Sequence, residues 1–217
     1  MEKLKFSQLA LGCMMIIGLI LSPLANARTN TLSANHASLL QTDWKPDPGF
    51  ESLFDGKTLN GWCYRDGEDN VIENFEGKAK SSDGRYSAAD GILTVNALPA
   101  GAPRKVQKSW TLREFPTNFM MKIEFRASKN EDSGIFLRNP QLQCRDYLVA
   151  GPYTDLKKYR PQDWNLIVVT VKDNIAHCEC NGEVLEDALK LPATGPLGLE
   201  GDRGQMEYRH IQIKALP

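Results

Sequence analysis

The sequence predicts an all-β protein, an antiparallel sandwich or barrel, and three observations carry that expectation. Apolar and polar residues alternate with period two in several short stretches. Turn dipeptides separate those stretches, "DG" at 66–67, 83–84 and 90–91 and "NG" at 181–182. No apolar stripe of helical period runs for any length, and only "DLKKY" (155–159) reads as a short helix.

The chain opens with Lys3 and Lys5, an apolar run from about Leu9 to Leu21, then Ala25 and Ala27 at the small-residue positions of a signal-peptidase site. That run is shorter than the ~20 residues a bilayer requires. Residues 1–27 therefore read as a cleaved signal peptide, and the mature protein as exported, periplasmic or secreted. Residues 28–49 are polar with two prolines and read as a flexible lead-in, with Trp44 able to tuck against the domain. Residues 50–217 form the single domain. A chain of this size buries about 70% of its extended-chain surface without staples.

Within the domain, "FMMKIEFRA" (119–127) sets Met121, Ile123 and Phe125 on one face and Lys122, Glu124 and Arg126 on the other. Residues 165–185 read as a hairpin turning at Asp173-Asn174, with Ile167, Val169 and Val171 set against Ile175, His177 and Glu179. The last strand alternates Met206, Tyr208, His210 and Gln212 against Glu207, Arg209, Ile211 and Ile213.

A net charge of −1 argues against nucleic acid as a partner, since phosphate binding needs a basic stripe. Cys178 and Cys180 point to the same strand face and are poorly placed to bond each other. They are either buried small apolar groups or one of them bridges to Cys63 or Cys144. The three histidines are scattered and no Cys-x-x-Cys occurs, so no zinc site is expected. Serine-nucleophile elbow, His-Glu-x-x-His and phosphate loop are all missing.

Four stretches in one order carry more: "LFDGKTLNGW" (53–62), "DSGIFLR" (132–138), "YRPQDWN" (159–165) and "GPLGLEGDRGQMEYRHIQI" (195–213). With Asp90-Gly91-Ile92-Leu93 and Glu124-Phe125-Arg126, this set resembles the 3-keto-disaccharide hydrolase family over residues 50–215. The resemblance implies a concanavalin A-like jelly roll and a carbohydrate substrate. Three positions depart from the family pattern. Gln141 stands where a carboxylate opens the Glu-x-Gln-x-x-Asp strand, Glu200 replaces the glutamine after the Gly-Leu pair, and Arg203 replaces a histidine.

The chemistry implied is cleavage of glycosides already oxidised to a ketone at C3. The ketone acidifies the C2 hydrogen, so the site needs a base at C2 and a cation or donors at the enolate oxygen. It does not need the paired carboxylates of ordinary glycosidases. Glu124 or Asp146 is the expected base and Arg138 the enolate partner, the three converging in a groove with at least one perturbed carboxylate. Arg126, Gln141, Gln143, Glu200 and Arg209 are expected to hold sugar hydroxyls. Trp110 is the expected exposed stacking platform, whereas Trp62 and Trp164 read as core. No cofactor is expected; a divalent ion held by Glu124, Asp146 or Glu200 is the alternative to the arginine. The alternative function is a glycan-binding module of the cell envelope that does not cleave, which the amide at Gln141 favours.

Overall fold

The computed structural model describes residues 44–116, 118–149 and 151–217. The signal-peptide segment and most of the lead-in lie outside the described residues. The strands are, in chain order, β1 (Glu51–Ser52), β2 (Trp62–Arg65), β3 (Val71–Asn74), β4 (Tyr86–Ala89), β5 (Ile92–Val95), β6 (Gln107–Glu114) and β7 (Phe119–Ala127). Then follow β8 (Gly134–Leu137), β9 (Gln141–Gln143), β10 (Asn165–Lys172), β11 (Ile175–Cys180), β12 (Glu183–Lys190), β13 (Pro196–Gly201) and β14 (Met206–Ala215). Among the described residues there is no helix, and "DLKKY" is a turn.

The strands form two antiparallel sheets packed as a jelly-roll sandwich. One runs β12-β11-β10-β7-β14-β5-β4 with β1 on β14, the other β3-β2-β6-β13-β8-β9. Consecutive strands switch sheets, as β6 to β7 and β13 to β14 do, so the two halves are interleaved along the chain. Inward positions recur every second residue: Met121, Ile123 and Phe125 of β7 are no more than 2% exposed. Burying each such side chain stabilises the fold by about 1.5–3 kcal/mol.

Two registers differ from the sequence expectation. Asp173 and Asn174 both adopt positive φ, a two-residue turn that pairs Lys172 with Ile175. Val169 and Val171 therefore face Cys178 and Ala176, while His177 lies opposite Thr170 on the outer face. In β14, His210 has φ +52° and the ladder to β7 skips between Arg209 and Gln212. This bulge switches the inward face from Met206 and Tyr208 to Ile211 and Ile213.

The family-like stretches are clasps. Asp55 caps its turn by accepting from the backbone N–H of Lys57 and Thr58, and the Trp62 indole N–H returns to the Leu53 carbonyl. Asn165, fully buried, bonds the Arg160 backbone and the Asp163 carbonyl, closing the loop before β10. All four cysteines of the domain are buried and unpaired, so they pack as small apolar groups.

Candidate functional site

Alternation along the six-stranded sheet turns one set of side chains outward: Lys108 and Trp110 from β6, Glu200 from β13, Phe136 from β8, and Gln141 and Gln143 from β9. Register brings them together. Glu200 lies opposite Lys108, Gly198 opposite both Trp110 and Phe136, and Phe136 opposite Gln141. Two glycines make the floor. A Cβ on Gly198 would stand 2.6 Å from the Trp110 ring, so the indole rests on bare backbone and meets Phe136 edge-on at 5.4 Å. A Cβ on Gly134 would stand 2.2 Å from Gln141 Nε2. Through that gap the Gln141 side chain crosses β8 and donates to Glu200 Oε2 at 2.5 Å. Gln143 Nε2 donates in turn to Gln141 Oε1 at 3.3 Å.

The core fixes this row from behind. Tyr86, fully buried, donates from its hydroxyl toward the Gln107 and Leu199 carbonyls and accepts from the Ser109 N–H. Buried Ser133 donates to the Glu200 carbonyl. Both clamp the β13 backbone, at Leu199 and at Glu200 itself, which lowers the freedom of the Glu200 carboxylate.

Partial burial pushes the Glu200 carboxyl above its ordinary range. Lys108 and Arg104 oppose the shift, and Asp202 and Asp132 add to it. The Lys108 ammonium lies 4.0 Å from the centre of the Phe136 ring. Beside this row runs a charged rim. Asp132 pairs with Arg145 at 3.0 Å and Arg203 at 2.5 Å, and Asp202 takes Arg104 through both carboxylate oxygens.

The other expected residues stand elsewhere. Glu124, Arg126 and Arg209 lie on the outer face of the eight-stranded sheet. Arg209 and His210 both bond the Glu124 carboxylate, at 2.6 and 3.4 Å. Burial would raise that carboxyl, but these two partners outweigh it and hold it below its ordinary value. Arg126 pairs with Glu207, and both arginines stack on Trp164, which is a half-exposed spacer between cations rather than core. Trp44 stacks on His210 at 4.6 Å and helps wall a hollow of about 260 Å³ with Phe54, Asp55 and Asp90.

Asp146 is buried in the loop after β9. It accepts from Asn130 N–H, Tyr159 hydroxyl and Gln162 amide, tying two loops together. Arg138 is buried beyond the opposite end of β8, where it bonds the Asn174 side chain and the Pro192 carbonyl and lies over Phe119. Glu124, Asp146 and Arg138 thus do not converge. The groups that do are Glu200, Gln141, Gln143 and Trp110, joined by Lys108 and Phe136. Period two would have found the last pair, since Lys108 sits two residues before Trp110 and Phe136 two after Gly134. Among the described residues no three His, Cys, Asp or Glu side chains are grouped to hold a metal ion.

Residues 49–214 match the family described as the 3-keto-alpha-glucoside-1,2-lyase-like domain. The chain belongs to that family. No curated protein matches the sequence. Two crystal structures of candidate glycosyl hydrolases from Parabacteroides distasonis share the fold. One superimposes with a TM-score of 0.56 at 19% identity, covering 78% of this chain and 95% of the other. The second has a TM-score of 0.54 at 19% identity, covering 77% and 99%.

For a 3-keto-alpha-glucoside-1,2-lyase-like domain, two of the three departures noted in the sequence acquire a common explanation. Gln141 and Glu200 are the two ends of one hydrogen bond. The pair joins one amide to one carboxylate. The third departure, Arg203, joins Asp132 to Asp202 on the rim.

Proposed function

We propose that this exported protein cleaves 3-keto-glycosides by elimination and hydration, with Glu200 as the base. The single observation that carries the reading is the Glu200 carboxylate. It is held by Gln141 beside an aromatic pair, and its proton affinity is raised. A base must be both placed and sufficiently basic, and Glu124, held below its usual range, is the weaker choice.

In the reaction, the Glu200 carboxylate takes the C2 proton and the C2–H electron pair moves into C2–C3 as the ketone becomes an enolate. The enolate then collapses: the ketone reforms, C1–C2 becomes double, and the glycosidic C1–O bond breaks, the departing oxygen taking a proton. Water adds across C1=C2, hydroxyl to C1 and hydrogen to C2, giving the free 3-keto sugar. Trp110 offers a face for the sugar ring, and Gln141 and Gln143 offer amides for its hydroxyls.

Incubating the mature protein with 3-keto-trehalose, with mass spectrometry for free 3-keto-glucose, tests this directly. Release from the oxidised sugar alone, lost in Glu200→Gln, is the expected result. Release that persists in Glu200→Gln transfers the base to another residue, and no release ends the reading. A second reading is favoured by the amides flanking Trp110: a glycan-binding face without turnover. Calorimetric binding of an unmodified disaccharide without release from its 3-keto form distinguishes it.

A further inference from the structure

We propose that Lys108 is the cation that stabilises the enolate oxygen, a role that rests on the elimination reading above. Lys108 and Glu200 are direct partners across the β6–β13 ladder and point from the same face. Opposite charges so placed ordinarily close into an ion pair, their Cβ atoms standing about 4.5–5.5 Å apart. Here the carboxylate is turned to the Gln141 amide, and the ammonium lies over the Phe136 ring. On that face Gly198 is covered by the Trp110 indole, which packs edge-on against Phe136, so both head groups border the same aromatic surface.

That arrangement suits proton removal beside a ketone. The hydrogen leaves from C2 while negative charge develops on the oxygen of C3, two bonds away. One side chain must reach the hydrogen and a second the oxygen, from neighbouring positions on one surface. Glu200 and Lys108 are such neighbours. The ammonium donates to the oxygen as charge builds there and forms no covalent bond; its proton stays in place when the ketone reforms. The rim arginines are less suited: Arg145, Arg203 and Arg104 are each already paired with Asp132 or Asp202. Arg138, buried past the end of β8, is bonded at Asn174 and Pro192.

The test uses the mature protein and an aryl 3-keto-glucoside, comparing wild type, Lys108→Met and Lys108→Arg for kcat, KM and C2 hydrogen exchange in D2O. An interaction made chiefly in the transition state predicts that Lys108→Met lowers kcat by about 10²–10³-fold with KM changed less than threefold. C2 exchange should fall in parallel, and Lys108→Arg should recover part of both. An active wild type with an equally active Lys108→Met overturns the role of Lys108 and leaves the elimination reading intact. A rise in KM alone makes Lys108 a binding residue and also overturns the proposal. A wild type silent on the 3-keto-glycoside ends the elimination reading and this role with it.

Discussion

Gln141 reaches Glu200 across a strand to which neither belongs. Its amide passes over β8 at Gly134 and bonds the carboxylate on β13 at 2.5 Å. The crossing depends on the missing side chain, because a Cβ on Gly134 would occupy the amide's place. Gly134 has no positive φ to protect, so Gly134→Ala changes space and not backbone. The clash reaches back to Gln141 Cγ at 2.5 Å, so the side chain must swing out as a whole. Because it is half-exposed and no backbone atom is in the way, the destabilisation stays at the low end of overpacking costs, about 1 kcal/mol. We expect a Gly134→Ala protein that is folded, melts within a few degrees of wild type, and has lost at least tenfold in kcat/KM on the 3-keto substrate. Unchanged kcat/KM would mean that the Gln141–Glu200 bond contributes nothing to the reaction.

A second carboxylate at position 141 should push the first one up. In Gln141→Glu, two acids share the hydrogen-bonding distance now spanned by an acid and an amide, and like charges disfavour ionisation of both. A base works only when ionised, so activity rises with pH through its pKa. The wild-type acid limb should lie above the ordinary carboxylate range near 4.3, because burial already raises Glu200. In Gln141→Glu that limb should move at least one pH unit higher, measured as log kcat/KM from pH 4 to 8. An unmoved limb would separate Glu200 from the observed ionisation.

Much of this architecture is legible in the sequence, because both faces of a sandwich impose period two on the chain. Met121, Ile123 and Phe125 face inward as alternation requires. Alternation also hides its own failures. Read strictly, the last strand buries Met206, Tyr208 and His210, yet the apolar residues at 211 and 213 are the ones buried after the bulge at His210. The switch from even to odd apolar positions was the signal. For the site, face was legible and sheet was not. Glu124 and Glu200 both point outward, and only strand order shows that they leave the sandwich on opposite sheets. Gln141 and Glu200 each departed from the family pattern, but their contact spans 59 residues and needed the fold to be seen.

Asp146 should prove a stability residue. Its two oxygens collect the Asn130 N–H at 3.0 Å, the Gln162 amide at 3.2 Å and the Tyr159 hydroxyl at 3.3 Å, in a site 3% exposed. Asp146→Ala strands these donors together, which costs about 2–4 kcal/mol. Asp146→Asn keeps the shape and one acceptor and should cost less than half as much. Urea denaturation measures both, and kcat/KM at 10 °C, where each variant is folded, should stay within threefold of wild type. A Asp146→Asn protein of native stability with activity abolished would return Asp146 to the reaction.

Glu131 should make the protein more stable in mild acid than above neutrality. It is fully buried, accepts from the Gly204 N–H through Oε2, and leaves Oε1 without a hydrogen-bond partner. Burial raises its pKa to about 7; Asp202 adds to the shift, while the Gly204 bond and Arg85 oppose it. The unfolded chain ionises this carboxyl near 4.3. Between those values the folded state holds a proton that the unfolded state has released. The stabilisation is complete below the unfolded pKa and is lost as pH rises through about 7. Carboxyls held low by partners, such as Glu124 and Asp202, act in the opposite sense and only at lower pH, where they begin to protonate. Unfolding free energies should therefore fall by on the order of 2 kcal/mol from pH 5 to pH 7.5. Glu200, raised by the same cause, contributes a smaller share in the same direction, so the comparison with Glu131→Gln isolates Glu131. The glutamine fills the same space without titrating and should remove most of the decline. Equal slopes in the two proteins would show that Glu131 ionises in the folded state as it does in the unfolded chain.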